Sequence, residues 1–310
     1  MSSEGGLRAV VAALLANVGI AIAKFIAFAL TGSSSMLSEA VHSLADSGNQ
    51  ILLLVGNKRS RRRSTSTHQF GYGRVRYLYG FIVAIVLFLV GGLFSLFEGW
   101  HKIQHPEALS DPGVAFIVLG VAILLEGLSL RIAVREAKKM RGRHGLPSFL
   151  RRTRNPEISV ILLEDTGALV GLVFALAGVT VATLTGDGRW DGLGAAAVGT
   201  LLVVIAVFLG VEMASLLTGE SALPEEERAI RQAIESTDGV GRVIHLRTLH
   251  LGPDELLVAA KIGVDPSRTA LQVSSIIDAA ERRLRETVTK ECVVYLEPDI
   301  YELGEAGGTS

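Results

Sequence analysis

The sequence is poor in two features that often reveal function, cysteine and net charge. A single cysteine, Cys292, excludes an internal disulfide framework and a metal site built from several thiolates. The net charge is only −1, so composition gives no sign of a nucleic-acid partner, and we expect none. The sequence also lacks an HExxH string, a glycine-rich phosphate loop and a recognisable nucleophile–base pair. We therefore expect that the protein is not an enzyme.

Long apolar runs, by contrast, are abundant. A helix needs about 20 mostly apolar residues to cross the hydrocarbon core of a bilayer. Six stretches of the 310-residue chain qualify, at roughly 8–30, 33–56, 77–103, 113–136, 157–184 and 191–217. The first is longer than a signal-peptide core and lacks the usual cleavage pattern, so we expect a retained span. The sequence predicts a membrane α-helical fold in which residues 1–218 form a six-helix transmembrane domain.

Basic residues are concentrated in two of the connecting loops. The loops after the second and fourth apolar stretches are strongly basic, whereas the other three carry almost no Lys or Arg. By the positive-inside rule, both basic loops and both termini are cytoplasmic. We expect a multi-pass protein of a bacterial plasma membrane. The same charges would also suit a surface that faces anionic lipid.

The pattern changes after the last apolar stretch. Pro224 and the acidic residues after it begin a helix. Two strands, a helix and a third strand follow at 243–251, 256–264, 269–287 and 292–296. This αββαβ order predicts a small α+β cytoplasmic domain at 219–303 and a disordered tail at 304–310. Because about 80 residues make a thin core, we expect the domain to pair with a second copy in a homodimer.

The second apolar stretch contains charged residues where a membrane helix normally has none. His42 and Asp46 are four positions apart, so they share one face of a helix. An imidazole nitrogen beside a carboxylate oxygen is half of a tetrahedral zinc site. The alternative is a structural hydrogen-bonded pair that fixes the packing of a helix bundle.

The fifth apolar stretch contains two adjacent carboxylates, Glu164 and Asp165. Charges inside a span are costly and usually mark an ion path. Neighbouring helix positions point about 100° apart, so one carboxylate would face the site and the other would flank it. If the second and fifth helices touch, His42, Asp46 and Asp165 converge, with Glu164 as a fourth candidate ligand. A nitrogen- and oxygen-rich site suits Zn²⁺ or Mn²⁺ rather than Cu⁺.

Several motifs together resemble the cation diffusion facilitator family of zinc transporters. They are the His-xxx-Asp of the second span, the acidic pair of the fifth, His68-x-Phe70-Gly71-Tyr72-Gly73-Arg74, Trp190-Asp191 and Val294-Tyr295-Leu296-Glu297-Pro298. The resemblance covers nearly the whole chain, and the order of the motifs is more specific than any one of them. Within this family, the segment Leu162-Leu163-Glu164-Asp165-Thr166 resembles the corresponding segment of a branch that includes mitochondrial zinc transporters.

The resemblance implies a set of transport-site ligands. His42 and Asp46 match the ligands of the second span, and Asp165 matches that of the fifth. The family usually has a histidine four residues before this aspartate, where this chain has Ile161. Glu164 is a candidate replacement, because it lies about 60° around the helix from Ile161. The implied cargo is Zn²⁺, with Mn²⁺, Co²⁺, Fe²⁺ or Ni²⁺ as alternatives, and no organic cofactor.

The resemblance also suggests roles for residues outside the spans. His68 matches a secondary metal ligand of some members, although a loop or capping role is the simpler alternative. Arg74 and Glu220 match a charge-interlock pair, or they are two solvated charges. His245 and His250 are expected on opposite sides of one strand, so they cannot share one ion. We expect the C-terminal domain to dimerise and to bind few or no metals.

The expected function is efflux of a divalent cation, Zn²⁺ first, by metal/proton antiport with alternating access to a mid-membrane site. The expected partners are metal ions, protons, the lipid bilayer and a second copy of the chain. Three alternatives stay open: a transporter of Mn²⁺ or another divalent cation, a membrane metal sensor, and a carrier for an organic cation. Five other polar residues in or near the spans receive no role in this interpretation: Asn17, Lys24, Glu98, Glu126 and Glu212.

Overall fold

The computed structural model describes residues 3–140, 145, 149 and 152–300, so the predicted tail at 304–310 lies outside it. The chain divides into two compact units. The first contains the residues up to Arg59 together with Arg76–Ala214, and the second contains Ser60–Val75 together with the residues from Ser215 onward. The loop that carries the His68–Arg74 motif therefore belongs to the same unit as the C-terminal domain.

Helices occupy the predicted apolar stretches. Their bounds are Ser3–Thr31 (α1), Ser34–Ser60 (α2), Val75–Gln104 (α3), Pro112–Met140 (α4), Pro156–Thr185 (α5) and Arg189–Thr218 (α6). Within the described residues, α3, α5, α6 and the Pro112–Arg135 part of α4 are long and apolar enough to cross a membrane. A shorter apolar segment, Asn17–Thr31, lies in α1. These helices support an integral membrane protein with four strong candidate spans.

Sequence breakers set the ends of these helices. Pro112 and Pro156 stand first in α4 and α5, where the fixed φ of proline fits a helix and its missing N–H costs nothing. Asn155 caps α5 by accepting a hydrogen bond from the backbone N–H of Glu157 at 3.2 Å. Gly186 ends α5 with a φ of 70°, a left-handed conformation that glycine adopts without strain.

Two local features shape α3. Its Leu87–Leu93 segment is π-helical, a form found mainly as single wide turns inside α-helices. Further along, α3 packs closely on α6 because glycines remove the side chains between them. A Cβ built on Gly99 would lie 2.6 Å from the backbone N of Ala196, and one built on Gly199 would lie 2.6 Å from the N of Leu96. Such contacts are typical of helices that meet through small residues.

The C-terminal part of the second unit has the predicted αββαβ order. Its elements are Pro224–Glu235 (α7), Val240–Gly252 (β1), Glu255–Val264 (β2), Ala270–Thr287 (α8) and Glu291–Ile300 (β3). The sheet order is β1-β2-β3, with β1 and β2 antiparallel and β2 and β3 parallel. The parallel pair requires the α8 crossover between its strands. The strands are longer than the sequence predicted, because the alternation of apolar and polar residues that marks a strand weakens toward its ends.

The core of this unit lies between the helices and the sheet. Ile230 and Ile234 of α7, Leu284 of α8 and alternate residues of β2 are buried together. Cys292 belongs to this core, and burial raises the pKa of its thiol, although Arg285 and Lys290 act in the opposite direction. The buried thiol is therefore a packing residue rather than a reactive one.

Candidate metal-transport site

The polar face of α2 begins the site. His42 and Asp46 are one helical turn apart, and Nδ1 of His42 lies 3.4 Å from Oδ1 of Asp46. The His42 ring is almost fully buried, whereas the Asp46 side chain is 14% exposed. Apart from that contact, neither ring nitrogen of His42 has a hydrogen-bond partner among the described residues. A Cβ on Gly91, in the π-helical segment of α3, would lie 3.9 Å from the same Nδ1.

The two carboxylates of α5 point to different helices, as expected for adjacent positions. Glu164 turns to α2, where Nδ2 of Asn49 donates a hydrogen bond to its Oε1 at 2.6 Å. Asp165 turns to α4, where Oγ of Ser129 donates to its Oδ2 at 3.0 Å. The first bond shows that α2 and α5 touch, which is the contact that convergence of the predicted ligands requires.

A cavity of about 270 Å³ joins these side chains. Asp46, Glu164 and Asp165 line it, and so does Ile161, whose side chain is 41% exposed. The rest of the lining is Asn17, Ile20, Ser43, Gln50, Leu53, Leu54, Asn57, Glu126, Ser129 and Glu157. From Ser43 to Asn57 the lining follows α2 for about 21 Å at 1.5 Å per residue. Its end at Asn57 and Glu157 coincides with the ends of α2 and α5 that adjoin the two basic loops.

His42 is not part of the cavity lining and reaches it only through Asp46. Within the part of the chain that the structure describes, no three His, Cys, Asp or Glu side chains are close enough to hold one metal ion. The arrangement is thus an open acidic cavity rather than a closed coordination site. An ion that binds there would need its ligands to close around it.

A buried ion pair lies beside the cavity. Nζ of Lys24 donates to Oε2 of Glu39 at 3.0 Å and to Oγ of Ser43 at 2.7 Å. Both charged side chains are 0% exposed, so each needs the other as a counter-charge. Ser43 lines the cavity, which places the ammonium group directly behind its wall.

The far end of α2 is fixed by Asp191, the aspartate of the Trp190-Asp191 motif. Its carboxylate accepts hydrogen bonds from Oγ of Ser33 at 2.7 Å and from the backbone N–H of Ser34 at 2.6 Å. A carboxylate from α6 thus caps the N-terminus of α2, where free N–H groups and the helix dipole favour negative charge. Glu98 of α3 accepts a hydrogen bond from Oγ of Ser34 at 2.8 Å.

The remaining predicted residues lie in the second unit. His68 is exposed and its ring packs on Tyr72 with centroids 4.6 Å apart. Nη2 of Arg74 lies 3.5 Å from the position of a Cβ on Gly219, which precedes Glu220. His245 is exposed and His250 is fully buried. Glu297 pairs with Lys261 at 3.5 Å. The structure brings none of these histidines into a cluster of metal-ligating side chains among the described residues.

Sequence reasoning missed several polar residues that surround the cavity. Glu126 received no role from the sequence, yet it lines the cavity together with Ser129, three positions later. Asn49 holds Glu164, and Lys24 pairs with Glu39. The signal available beforehand was the cost of intramembrane charge, which makes each such residue a functional candidate with a partner to be found.

Comparisons with known proteins agree with this architecture. Residues 10–218 match the family model described as the cation efflux transmembrane domain, and residues 222–299 match that of the cation efflux protein, cytoplasmic domain. The chain is similar to the proton-coupled zinc antiporter SLC30A9, mitochondrial, of Xenopus laevis, with 30% identity over 94% of this chain and 53% of that protein. The Homo sapiens protein of that name is 30% identical to this chain, and the match covers 84% of this chain and 46% of that protein. The chain thus spans about half the length of these relatives.

In two further similarities the match covers most or all of the other chain. The cation-efflux pump FieF of Serratia proteamaculans is 28% identical over 89% of this chain and 86% of the pump. A solved structure of the MamM CTD in a nickel form is 26% identical and covers 26% of this chain and 100% of that chain, with a TM-score of 0.25.

Proposed function

Because this chain belongs to the cation efflux family, the family of the sequence resemblance, we propose that it exports divalent metal cations, Zn²⁺ first, in exchange for protons. The observation that carries the proposal is the cavity that Asp46, Glu164 and Asp165 line, with His42 buried against Asp46. The relatives named as proton-coupled zinc antiporters support both the cargo and the coupling.

The chemistry of the cavity favours a divalent cation. Carboxylate and imidazole groups are ligands for Zn²⁺ and for harder divalent ions such as Mn²⁺. These groups bind metal only when deprotonated, so metal binding releases protons and protonation expels the metal. A site that opens to either side of the membrane would then exchange metal for protons, and an inward proton gradient would drive the metal out of the cytoplasm.

The proposal includes the six-span topology and its orientation. In this topology α1 and α2 also cross the membrane, with the polar face of α2 turned toward α5 rather than lipid. The basic loops put the Asn57 and Glu157 end of the cavity on the cytoplasmic side. In this conformation the cavity would therefore receive metal from the cytoplasm. A bacterial plasma membrane and a homodimer through the C-terminal domain remain parts of the proposal, the latter supported by the match to the cytoplasmic-domain family model.

The test is proton flux across liposomes that contain the purified protein. Zn²⁺, Mn²⁺, Co²⁺ and Ni²⁺ are added one at a time, and a trapped pH dye reports proton movement. We expect a Zn²⁺-dependent signal that falls at least tenfold in Asp46→Ala and in Asp165→Ala, because each removes a ligand. The matched control is Asp187→Ala, which removes a carboxylate from the α5–α6 turn, outside the cavity.

Two results would contradict the proposal. Undiminished flux in both cavity variants would show that these carboxylates do not carry the metal. Tight Zn²⁺ binding without flux for any metal would instead favour a membrane metal sensor.

A further inference from the structure

We propose that Glu126 of α4 is a metal ligand of the same cavity and determines which divalent cations it accepts. This inference rests on the proposed function and adds a residue from a third helix to it. Glu126 lines the cavity together with Asp46, Glu164 and Asp165. It is partly buried, and the bond from Ser129, one turn along α4, to Asp165 fixes this face of α4 against α5.

The hydrogen bonds distinguish Glu126 from most of the carboxylates around it. Glu164 is held by Asn49, Asp165 by Ser129, and Glu157 by a two-point interaction with Arg76 at 2.7 Å for each bond. Within the described residues Glu126 makes no hydrogen bond or ion pair, and Lys24 and His42 act on it only at longer range. A cavity carboxylate that makes no hydrogen bond or ion pair with the protein can bind a cation without first breaking such a bond.

A second observation points to a ligand at the Asp46 side of this cavity. The side chain of His42 is 1% exposed, and its ring nitrogens make no hydrogen bond among the described residues. Nδ1 faces Asp46 at 3.4 Å, and Oδ1 of Asp46 also lacks a hydrogen bond. Buried polar atoms normally have partners, so an imidazole and a carboxylate left unsatisfied beside a cavity indicate that something else completes them.

The charges identify the class of that ligand. Arg76 balances Glu157, and Glu39 balances Lys24. Four carboxylates of the cavity lining, those of Asp46, Glu126, Glu164 and Asp165, have no Lys or Arg within ion-pair distance among the described residues. The Lys24 ammonium acts on Asp46 and Glu126 only from a longer distance. A divalent cation offsets this excess more completely than a monovalent one.

Glu126 also affects the choice among divalent ions. Ile161 presents a hydrocarbon wall to the cavity, so the lining residues that could supply a fourth ligand are carboxylates rather than imidazoles. Oxygen ligands suit harder ions such as Mn²⁺, whereas imidazole favours Zn²⁺. The cavity should therefore accept Mn²⁺ as well as Zn²⁺, with Glu126 responsible for much of the Mn²⁺ binding.

The experiment measures Kd for Zn²⁺ and Mn²⁺ by calorimetry on the purified full chain in detergent. We expect Glu126→Gln to raise the Kd for Mn²⁺ at least tenfold and that for Zn²⁺ severalfold, without lowering the metal-free melting temperature. Adding Ile161→His to Glu126→Gln should restore Zn²⁺ binding but not Mn²⁺ binding. The matched control is Glu98→Gln, because Glu98 lies in α3 outside the cavity.

Each outcome decides between the two proposals. If the unmodified protein binds neither metal, the proposed function fails. If it binds metal and Glu126→Gln binds both ions equally well, only the role of Glu126 fails. An equal loss for both ions with a lower melting temperature would show a structural role and would also overturn the inference.

Discussion

Some charged side chains in the helical unit have a protein counter-charge, and others face the cavity without a Lys or Arg partner. Lys24 with Glu39 and Arg76 with Glu157 form the first class. Asp46 and Glu126 belong to the second. The division has a physical reason, because an unpaired charge away from water is costly unless a cavity or a bound ion compensates it.

The Lys24–Glu39 pair gives a prediction for stability. Lys24→Met leaves Glu39 buried without a counter-charge, which should lower the free energy of unfolding by about 3–5 kcal/mol. Adding Glu39→Met removes the stranded charge and should recover most of that loss, because an apolar pair of similar size replaces the ion pair. Thermal unfolding of both variants in detergent measures the difference. A double variant no more stable than the single one would contradict this account.

Part of the site was predictable at this scale. The contact between His42 and Asp46 follows from their spacing, and so does the divergence of Glu164 from Asp165. The position of Glu126 was not predictable, since periodicity gives the faces of one helix but not its rotation relative to the others. For the same reason, the pairing of Lys24 with Glu39 and of Asn49 with Glu164 could not be predicted.

At the scale of elements, the close approach of α3 and α6 depends on glycine. Gly99 and Gly199 leave no room for a methyl group against the facing backbone. Gly120 of α4 has no atom within 4 Å of its Cβ position, so it offers a matched comparison in another helix.

Gly99→Ala should therefore destabilise the protein by about 1–3 kcal/mol through overpacking. Gly120→Ala should instead stabilise it by about 0.5–1 kcal/mol, because alanine is the better helix former. Thermal melting of the two variants in detergent should give shifts of opposite sign. Equal shifts would show that the α3–α6 contact relaxes more easily than its geometry indicates.

Pro112, Pro156 and Gly186 mark the starts of α4 and α5 and the end of α5, whereas α2 and α4 extend beyond the predicted stretches. The π-helical segment Leu87–Leu93 was not predictable, since its sequence is apolar throughout and the wider turn depends on what α3 packs against. The αββαβ order followed from alternating patterns, but the strand ends did not.

At the scale of the whole molecule, the orientation of the helices across the membrane can be tested directly. Cys292 is the only cysteine, so Cys292→Ala gives a background without thiols. In that background we expect Ser64→Cys to react with an impermeant maleimide from the cytoplasmic side and Thr185→Cys from the opposite side. Both positions are exposed. Labelling of intact cells and of inverted vesicles measures the side, and reaction of both cysteines from one side would contradict the six-span topology.

The C-terminal domain provides a prediction of pH dependence. Burial acts to raise the pKa of Glu226, but hydrogen bonds from Nζ of Lys290 at 2.6 Å and from the N–H of Leu223 outweigh it, so the pKa lies below its usual range. A lowered pKa in the folded state means that this stabilisation is present above the unfolded pKa and is lost as pH falls through the folded pKa.

Glu226→Gln should therefore reduce stability at neutral pH by about 1–2 kcal/mol, since the charged partner of Lys290 is lost. The difference from the unmodified protein should shrink as the pH falls below the carboxyl range. Hydrogen exchange of the α7 amides in the full chain, corrected for the intrinsic rate at each pH, measures it. A difference that persists in acid would assign the effect to helix capping rather than to charge.

The Lys24–Glu39 pair also has a consequence for how the chain enters the membrane. In the proposed topology, α1 alone would bring a lysine into the hydrocarbon and α2 alone a glutamate, each at a cost of about 2.5–3.5 kcal/mol near a helix centre. Entering together as a hairpin, the two helices bring a neutral pair joined across the short Thr31–Ser34 turn. We therefore expect α1 to wait at the translocon until α2 has been synthesised, so that the hairpin rather than the single helix is the unit of insertion.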